Sequence, residues 1–150
     1  MINNIMSKYF TLAEMTYSDA AIRHDIDNMP TGKTLENLKY TMLKMDEVRD
    51  FLKKPIHVSS GYRGISVNAI IGGSNTSAHT LGYAVDFTAK DFGGPLVVCE
   101  ALIKSGLIFD QIIWEFDSWT HISFDPKARK QVLTAVKQNG KTVYFSGLKK

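Results

Sequence analysis

The chain has one cysteine, Cys99, among 150 residues. A single thiol cannot close an internal disulfide, and it cannot furnish the cysteine-rich shell of a structural zinc module. Any metal held here must therefore be held by histidine and carboxylate. No run approaches the roughly 18 consecutive apolar residues of a membrane span, so membrane insertion is not expected. Met1 to Phe10 contains a lysine and two asparagines but no continuous apolar stretch, so no secretory signal peptide is visible. Charge of one sign is also scarce. Lys and Arg total 18 against 15 Asp and Glu, a net +3, and the lysines are dispersed apart from Lys53-Lys54 and Lys149-Lys150. Nucleic-acid binding usually demands a denser basic stripe, so no nucleic-acid partner is expected. The excess is compatible with an anionic polymer, although ordinary solubility explains it more simply.

What is present resembles the average soluble domain. Hydrophobic residues make up 44% and charged residues 22%, which excludes disordered and low-complexity classes. No repeat or linker divides the chain, and residues 1–150 read as a single domain, expected to be monomeric. A chain of this length buries roughly 70% of its unfolded surface and folds without staples.

Thr11 and Glu14 form a capping-box pair, flanked by Phe10 and Met15 at hydrophobic-staple positions, which predicts a helix start. Ser18 to Pro30 is ambiguous, with a turn at Asn28-Met29-Pro30. Leu35, Leu38, Met42, Met45, Val48 and Leu52 recur every three or four residues and predict a core-packing helix ended by Pro55. Ile56 to Ser60 alternates as a short strand, and Gly72 to Ser77 is loop by composition. That loop lacks the Lys-Ser/Thr ending of a phosphate-binding motif, so nucleotide binding is not expected.

Tyr83 to Thr88 predicts a strand with two unlike faces: Tyr83, Val85 and Phe87 on one, Gly82, Ala84, Asp86 and Thr88 on the other. Pro95 opens a helix through Lys104, and Gly106 stands at its C′ position. Strands follow at 108–116 and 119–124, then a hairpin turning at Asn139-Gly140. Helices first, then mostly antiparallel strands with one inserted helix, make the fold class α+β.

Of four histidines, His24 and His57 have no companions, and a structural role is the default for both. His79 stands in the polar loop just before the strand that presents Asp86, and His121 lies on the strand Trp119 to Ser123. Two imidazoles and one carboxylate match a catalytic zinc shell with a fourth position open. Spacing alone does not single them out, because isolated His and Asp residues are common.

The stretch Ser77-Ala78-His79-Thr80-Leu81-Gly82-Tyr83-Ala84-Val85-Asp86 resembles the SxHxxGxAxD motif of the LAS-type zinc murein peptidases. That family includes D-alanyl-D-alanine carboxypeptidases and phage L-alanyl-D-glutamate endopeptidases. Trp119-Thr120-His121 is similar to its second element. Ser59 to Arg63, Val67-Asn68 with Gly72-Gly73, and Tyr9 to Glu14 also resemble the family pattern, so the likeness spans about residues 9–148. It implies a hedgehog/D-Ala-D-Ala-peptidase-like fold, with N-terminal helices packed on a small sheet that carries one Zn2+ ion. His79, Asp86 and His121 would be the metal ligands, Arg63 a substrate-binding and polarising residue, and Ser77 a substrate contact beside the metal.

Zinc lowers the pKa of bound water from 15.7 toward about 7, and a nearby carboxylate must take the proton and return it to the leaving amine. In several relatives that acid lies three residues before the last histidine, where this chain has Ser118. The available acids are Glu115 and Asp117. A two-residue turn at Asp117-Ser118 would pair Trp114 with His121 and send Glu115 to the opposite face. A three-residue loop, Phe116-Asp117-Ser118, would pair Ile113 with His121 and turn Glu115 to the histidine's own face. The second arrangement is expected, with Glu115 as base and Asp117 as fallback. Trp114, Phe116 and Trp119 crowd this hairpin and read first as packing residues, with a place in the wall of the substrate groove as the alternative for some of them. Cys99 reads as a buried small hydrophobe.

The expected function is hydrolysis of a peptide bond in the peptidoglycan stem. With no separate cell-wall-binding domain and no export signal, a phage-type endolysin is implied, accumulating in the host cytoplasm and released through a holin. A D-Ala-D-Ala carboxypeptidase is the close alternative. A non-catalytic, zinc-containing murein-binding or virion structural module is the alternative from another class, kept open by Ser118.

Overall fold

The computed structural model describes residues 6–74 and 76–150; Asn75, inside the predicted loop, and residues 1–5 lie outside the described residues. The element order is α1 (Leu12–Thr16), α2 (Asp19–Arg23), α3 (Gly32–Leu52), β1 (His57–Ser60), α4 (Ile65–Ile70), β2 (Ala84–Thr88), α5 (Pro95–Lys104), β3 (Gln111–Glu115), β4 (Trp119–Ser123), β5 (Gln131–Gln138) and β6 (Lys141–Ser146). The fold is α+β, as expected.

The N-terminal capping box forms: the Thr11 side chain accepts from the Glu14 N–H, and Glu14 accepts from the Thr11 N–H. Phe10 and Met15 are both buried beside it. α3 buries Leu38, Met42, Met45, Val48 and Leu52 of the stripe its periodicity predicts, while Leu35, in the first turn, is only partly buried. It ends at Leu52, before Pro55, because Lys53 adopts a left-handed conformation (φ 59°) and its N–H closes on the Arg49 carbonyl. The ambiguous segment after Ser18 contains the short helix α2, capped by the Ser18 hydroxyl. α4, like α2, has no sequence forecast. It is a turn and a half long, with Gly64 before it and no side-chain cap, so no local signal marks it.

The six strands form one sheet in the order β1-β2-β4-β3-β5-β6. Four neighbouring pairs are antiparallel and one, β3 with β5, is parallel. The parallel pair arises because residues 124–130 leave the end of β4, pass the start of β3 and enter β5 on its far side. β5 and β6 meet in a two-residue turn at Asn139 and Gly140, both at positive φ (52° and 76°), the geometry that an Asn-Gly pair favours.

One face of the sheet carries Val85, Phe87, Ile112 and Ile122, packed in a single core with the α3 stripe and with Val98, Cys99 and Leu102 of α5. Because side chains alternate across a strand, Asp86, His121, Ile113 and Glu115 emerge on the opposite face, away from α3 and α5. The core thus fixes the strands from behind and leaves the other face for chemistry.

Candidate metal centre

β2 and β4 pair so that Asp86 stands directly opposite His121. His79 reaches the same point from the turns that precede β2. Those turns close through the Thr80 N–H to the Ser77 carbonyl and the Tyr83 N–H to the Ala78 carbonyl. Gly82 makes this approach possible. Its φ is +83°, and a Cβ there would lie 2.8 Å from the Thr34 carbonyl oxygen of α3. The adjacent Thr41 hydroxyl donates to the Gly82 carbonyl at 2.7 Å and holds the segment on the helix.

Three side chains then converge. The His79 Nδ1 lies 2.7 Å from the Gly61 carbonyl, which can only accept, so the proton sits on Nδ1 and Nε2 presents its lone pair. That Nε2 lies 3.3 Å from Asp86 Oδ1, and His121 Nδ1 lies 2.9 Å from the same oxygen. All three residues are buried, at 2%, 6% and 6% exposure. Their candidate ligand atoms all fall within 4.8 Å of one another.

Burial alone would raise the Asp86 carboxyl, but the two imidazoles overcome it and hold the group well below the ordinary carboxylate range. An ionised carboxylate with two imidazole nitrogens aimed at one of its oxygens is a donor set suited to zinc, which takes nitrogen and carboxylate ligands. The residues present therefore fit the metal.

The β3–β4 connection is a three-residue loop. Glu115 pairs with Trp119 and Ile113 with His121, the register that turns Glu115 toward the cluster. Phe116 and Asp117 take positive φ (53° and 50°) to make that loop. Glu115 Oε1 lies 3.6 Å from His121 Nδ1. Burial, then the Asp86 charge, push the Glu115 carboxyl up to about 7, against the pull of His121 and Arg63. Asp117 lies elsewhere. Its carboxylate accepts from the Trp114 indole N–H at 3.0 Å, and it borders a separate hollow with Trp114 and Phe116.

Arg63 follows β1 and lines the same groove as the cluster, its backbone N–H on the His79 carbonyl at 3.3 Å. Burial draws its guanidinium below the usual arginine range, partly offset by Asp86 and Glu115, and its Nε has no partner among the described residues. The Ser77 hydroxyl accepts from the His79 N–H at 3.2 Å and also borders the groove. Asn68 explains Gly73: its Nδ2 donates to the Ser74 carbonyl at 2.6 Å, and a Cβ on Gly73 would collide with its side chain, whereas Gly72 stands at a positive φ of 78°.

The groove encloses about 700 Å³. Part of its wall escaped sequence reasoning. Arg129, Leu133, Thr142 and Tyr144 all line it, and all come from the last 22 residues. Asn139-Gly140 locates the hairpin that carries three of them, but nothing local reveals that this hairpin docks beside β3. Burial, then Glu115 and Asp86, raise the Tyr144 phenol, which marks how near that wall comes to the acidic groups.

A family model described as Peptidase M15 matches residues 8–123, more than half of the chain. No curated protein matches it.

Proposed function

The chain belongs to the peptidase M15 family and is a zinc metallopeptidase of the murein-directed kind, and on that premise we propose which residues act and on what bond. His79 through Nε2, Asp86, and His121 through Nδ1 would hold the ion. When bound, zinc supplies a Lewis acid that polarises the scissile carbonyl and brings the pKa of a water toward about 7.

The chain's own residues do the rest. Glu115 accepts the water proton at its carboxylate and delivers it to the departing amine as the C–N bond breaks. Its carboxylate stands on the same face as His121, with Oε1 3.6 Å from Nδ1, within reach of a group held at the cluster. The Arg63 guanidinium carries positive charge into the groove and steadies the negative charge that develops on the carbonyl oxygen. Ser77 orders the His79 backbone and offers a hydroxyl to the substrate. The Gly61 carbonyl keeps His79 in the tautomer that leaves Nε2 free.

The substrate we propose is a peptide bond within the peptidoglycan stem, cut by a phage-type endolysin. The groove supports an internal bond over a terminal one. Its lining extends on both sides of His121, to Trp119 in one direction and to Ser123 and Arg129 in the other. The single observation that carries an enzymatic reading over a silent zinc module is the placement of Glu115, which supplies the acid that Ser118 cannot. Zinc-loaded protein incubated with purified murein sacculi should release new amino termini, identified by mass spectrometry, and chelator should abolish them. Cleavage confined to terminal D-alanine would make it a carboxypeptidase. Absence of any zinc-dependent product would leave only a binding role.

A further inference from the structure

Arg129 lies beyond the family-matched residues 8–123 and outside the zinc cluster, yet it lines the groove. It is held there by an unusual degree of fixation. Asp110, 2% exposed, accepts from the Arg129 backbone N–H at 3.0 Å, from Nε at 2.9 Å and from Nη2 at 2.8 Å. Those bonds occupy one edge of the guanidinium. A guanidinium has five N–H donors in a planar fork, and its other edge, built from Nη1 and the second Nη2 hydrogen, has the same bidentate match to a carboxylate. No acceptor among the described residues takes Nη1. About half of the Arg129 side chain remains exposed, and the residue lines the groove.

The register sets its position. Glu115 pairs with Trp119 at one end of the β3–β4 ladder, and Gln111, next to Asp110, pairs with Ser123 at the other. Four residues of strand separate the two ends, about 13 Å, with His121 between them. Lys127 and Lys130, flanking Arg129, add positive charge to the same loop, while Asp125 and Asp110 are the nearby acids.

Resting on the peptidase reading above, we propose that Arg129, braced by Asp110, is a specificity residue that receives a free carboxylate of the stem peptide, one or two residues from the scissile bond. Two strand residues separate Ser123 from His121, about 7 Å, the span of two residues of extended peptide. The bracing matters because a pre-oriented fork loses less side-chain freedom when it binds.

The test compares two stem-type peptides, identical except that one bears a free side-branch carboxylate near the scissile bond and the other a carboxamide. Binding is measured by calorimetry on zinc-free protein, where no hydrolysis intervenes, and kcat and KM are then measured on the zinc-loaded protein. Wild type should bind the acid about tenfold more tightly than the amide, a modest factor because Arg129 is half exposed. Arg129→Gln should erase that preference, raising KM for the acid severalfold more than for the amide, with little change in kcat. Arg129→Lys, which keeps the charge toward Asp110 but not the fork, should also lose most of the preference, and it serves if the glutamine variant fails to fold. Equal binding of acid and amide to wild type, or an acid preference retained by the folded variants, overturns the proposal. An acid preference without any zinc-dependent hydrolysis would instead count against the peptidase reading and leave the carboxylate site standing.

Discussion

Replacing Glu115 with Gln should make the zinc-free protein more stable at alkaline pH while removing its activity. Glu115 sits with its side chain only 16% exposed and with Asp86 close by, and its carboxyl is raised from 4.5 to about 7. A group whose folded pKa lies above its unfolded pKa binds more protons when folded, so its contribution is fully present below about pH 4.5 and is lost as the pH climbs through 7. A rise of about 2.5 pKa units corresponds to about 3 kcal/mol at 1.36 kcal/mol per unit, trimmed by residual solvent contact to about 2–3 kcal/mol. Glutamine keeps the shape and cannot ionise. In a 150-residue protein the gain should appear as a rise of roughly 5–10 °C in melting temperature at pH 8, with no difference at pH 4. The assay is thermal unfolding in chelator at both pH values. With zinc loaded the gain should shrink, because a dication beside Glu115 offsets the charge that destabilises it. Hydrolysis of sacculi by the same variant should fall by about 10²–10⁴. A variant no more stable at pH 8 than wild type would refute the electrostatic argument, and one that keeps full activity would move the base elsewhere.

Asp110→Asn should cost about 1–2 kcal/mol at neutral pH, since it breaks the Arg129 pair on a half-exposed guanidinium. The Arg129 hydrogen bonds depress the Asp110 pKa, so the stability involved exists above about pH 4 and fades as the pH falls through the folded value. Urea unfolding should therefore show the gap between wild type and variant closing toward pH 3, and a constant gap would contradict this. Gly82→Ala should lose about 2–4 kcal/mol, from left-handed strain plus contact with the Thr34 carbonyl, and should weaken zinc retention measured by metal analysis. Unchanged stability would mean that the turn before β2 has another way to reach the helix. Cys99 is fully buried with its thiol pushed up to about 11, so a thiol reagent at pH 8 should leave native protein unmodified and titrate one thiol after denaturation. Rapid native labelling would require an opening of α5.

The regular elements were largely legible from local patterns. The Thr11/Glu14 capping box, the α3 stripe, the Pro95 helix start and the Asn139-Gly140 turn each depend on residues within a few positions of one another, where propensity and spacing act directly. α4 was not legible, because a six-residue helix without a side-chain cap is held by its surroundings. The metal cluster was legible by motif, and the hairpin register could be reasoned from loop length, since a shift of one residue would turn Glu115 to the other face.

The single cysteine and the histidine–carboxylate motif determined, from sequence alone, that a metal site here would use nitrogen and oxygen ligands. Only the tertiary structure decided the tautomer of His79, the raised pKa of Glu115 and the neighbours that enclose both. Those properties come from the Gly61 carbonyl, from burial and from the Asp86 charge, none of them adjacent in sequence to the group it controls. The same holds for Arg129: its place in the groove follows from the crossing of residues 124–130 over the start of β3, a long-range pairing that no local pattern encodes.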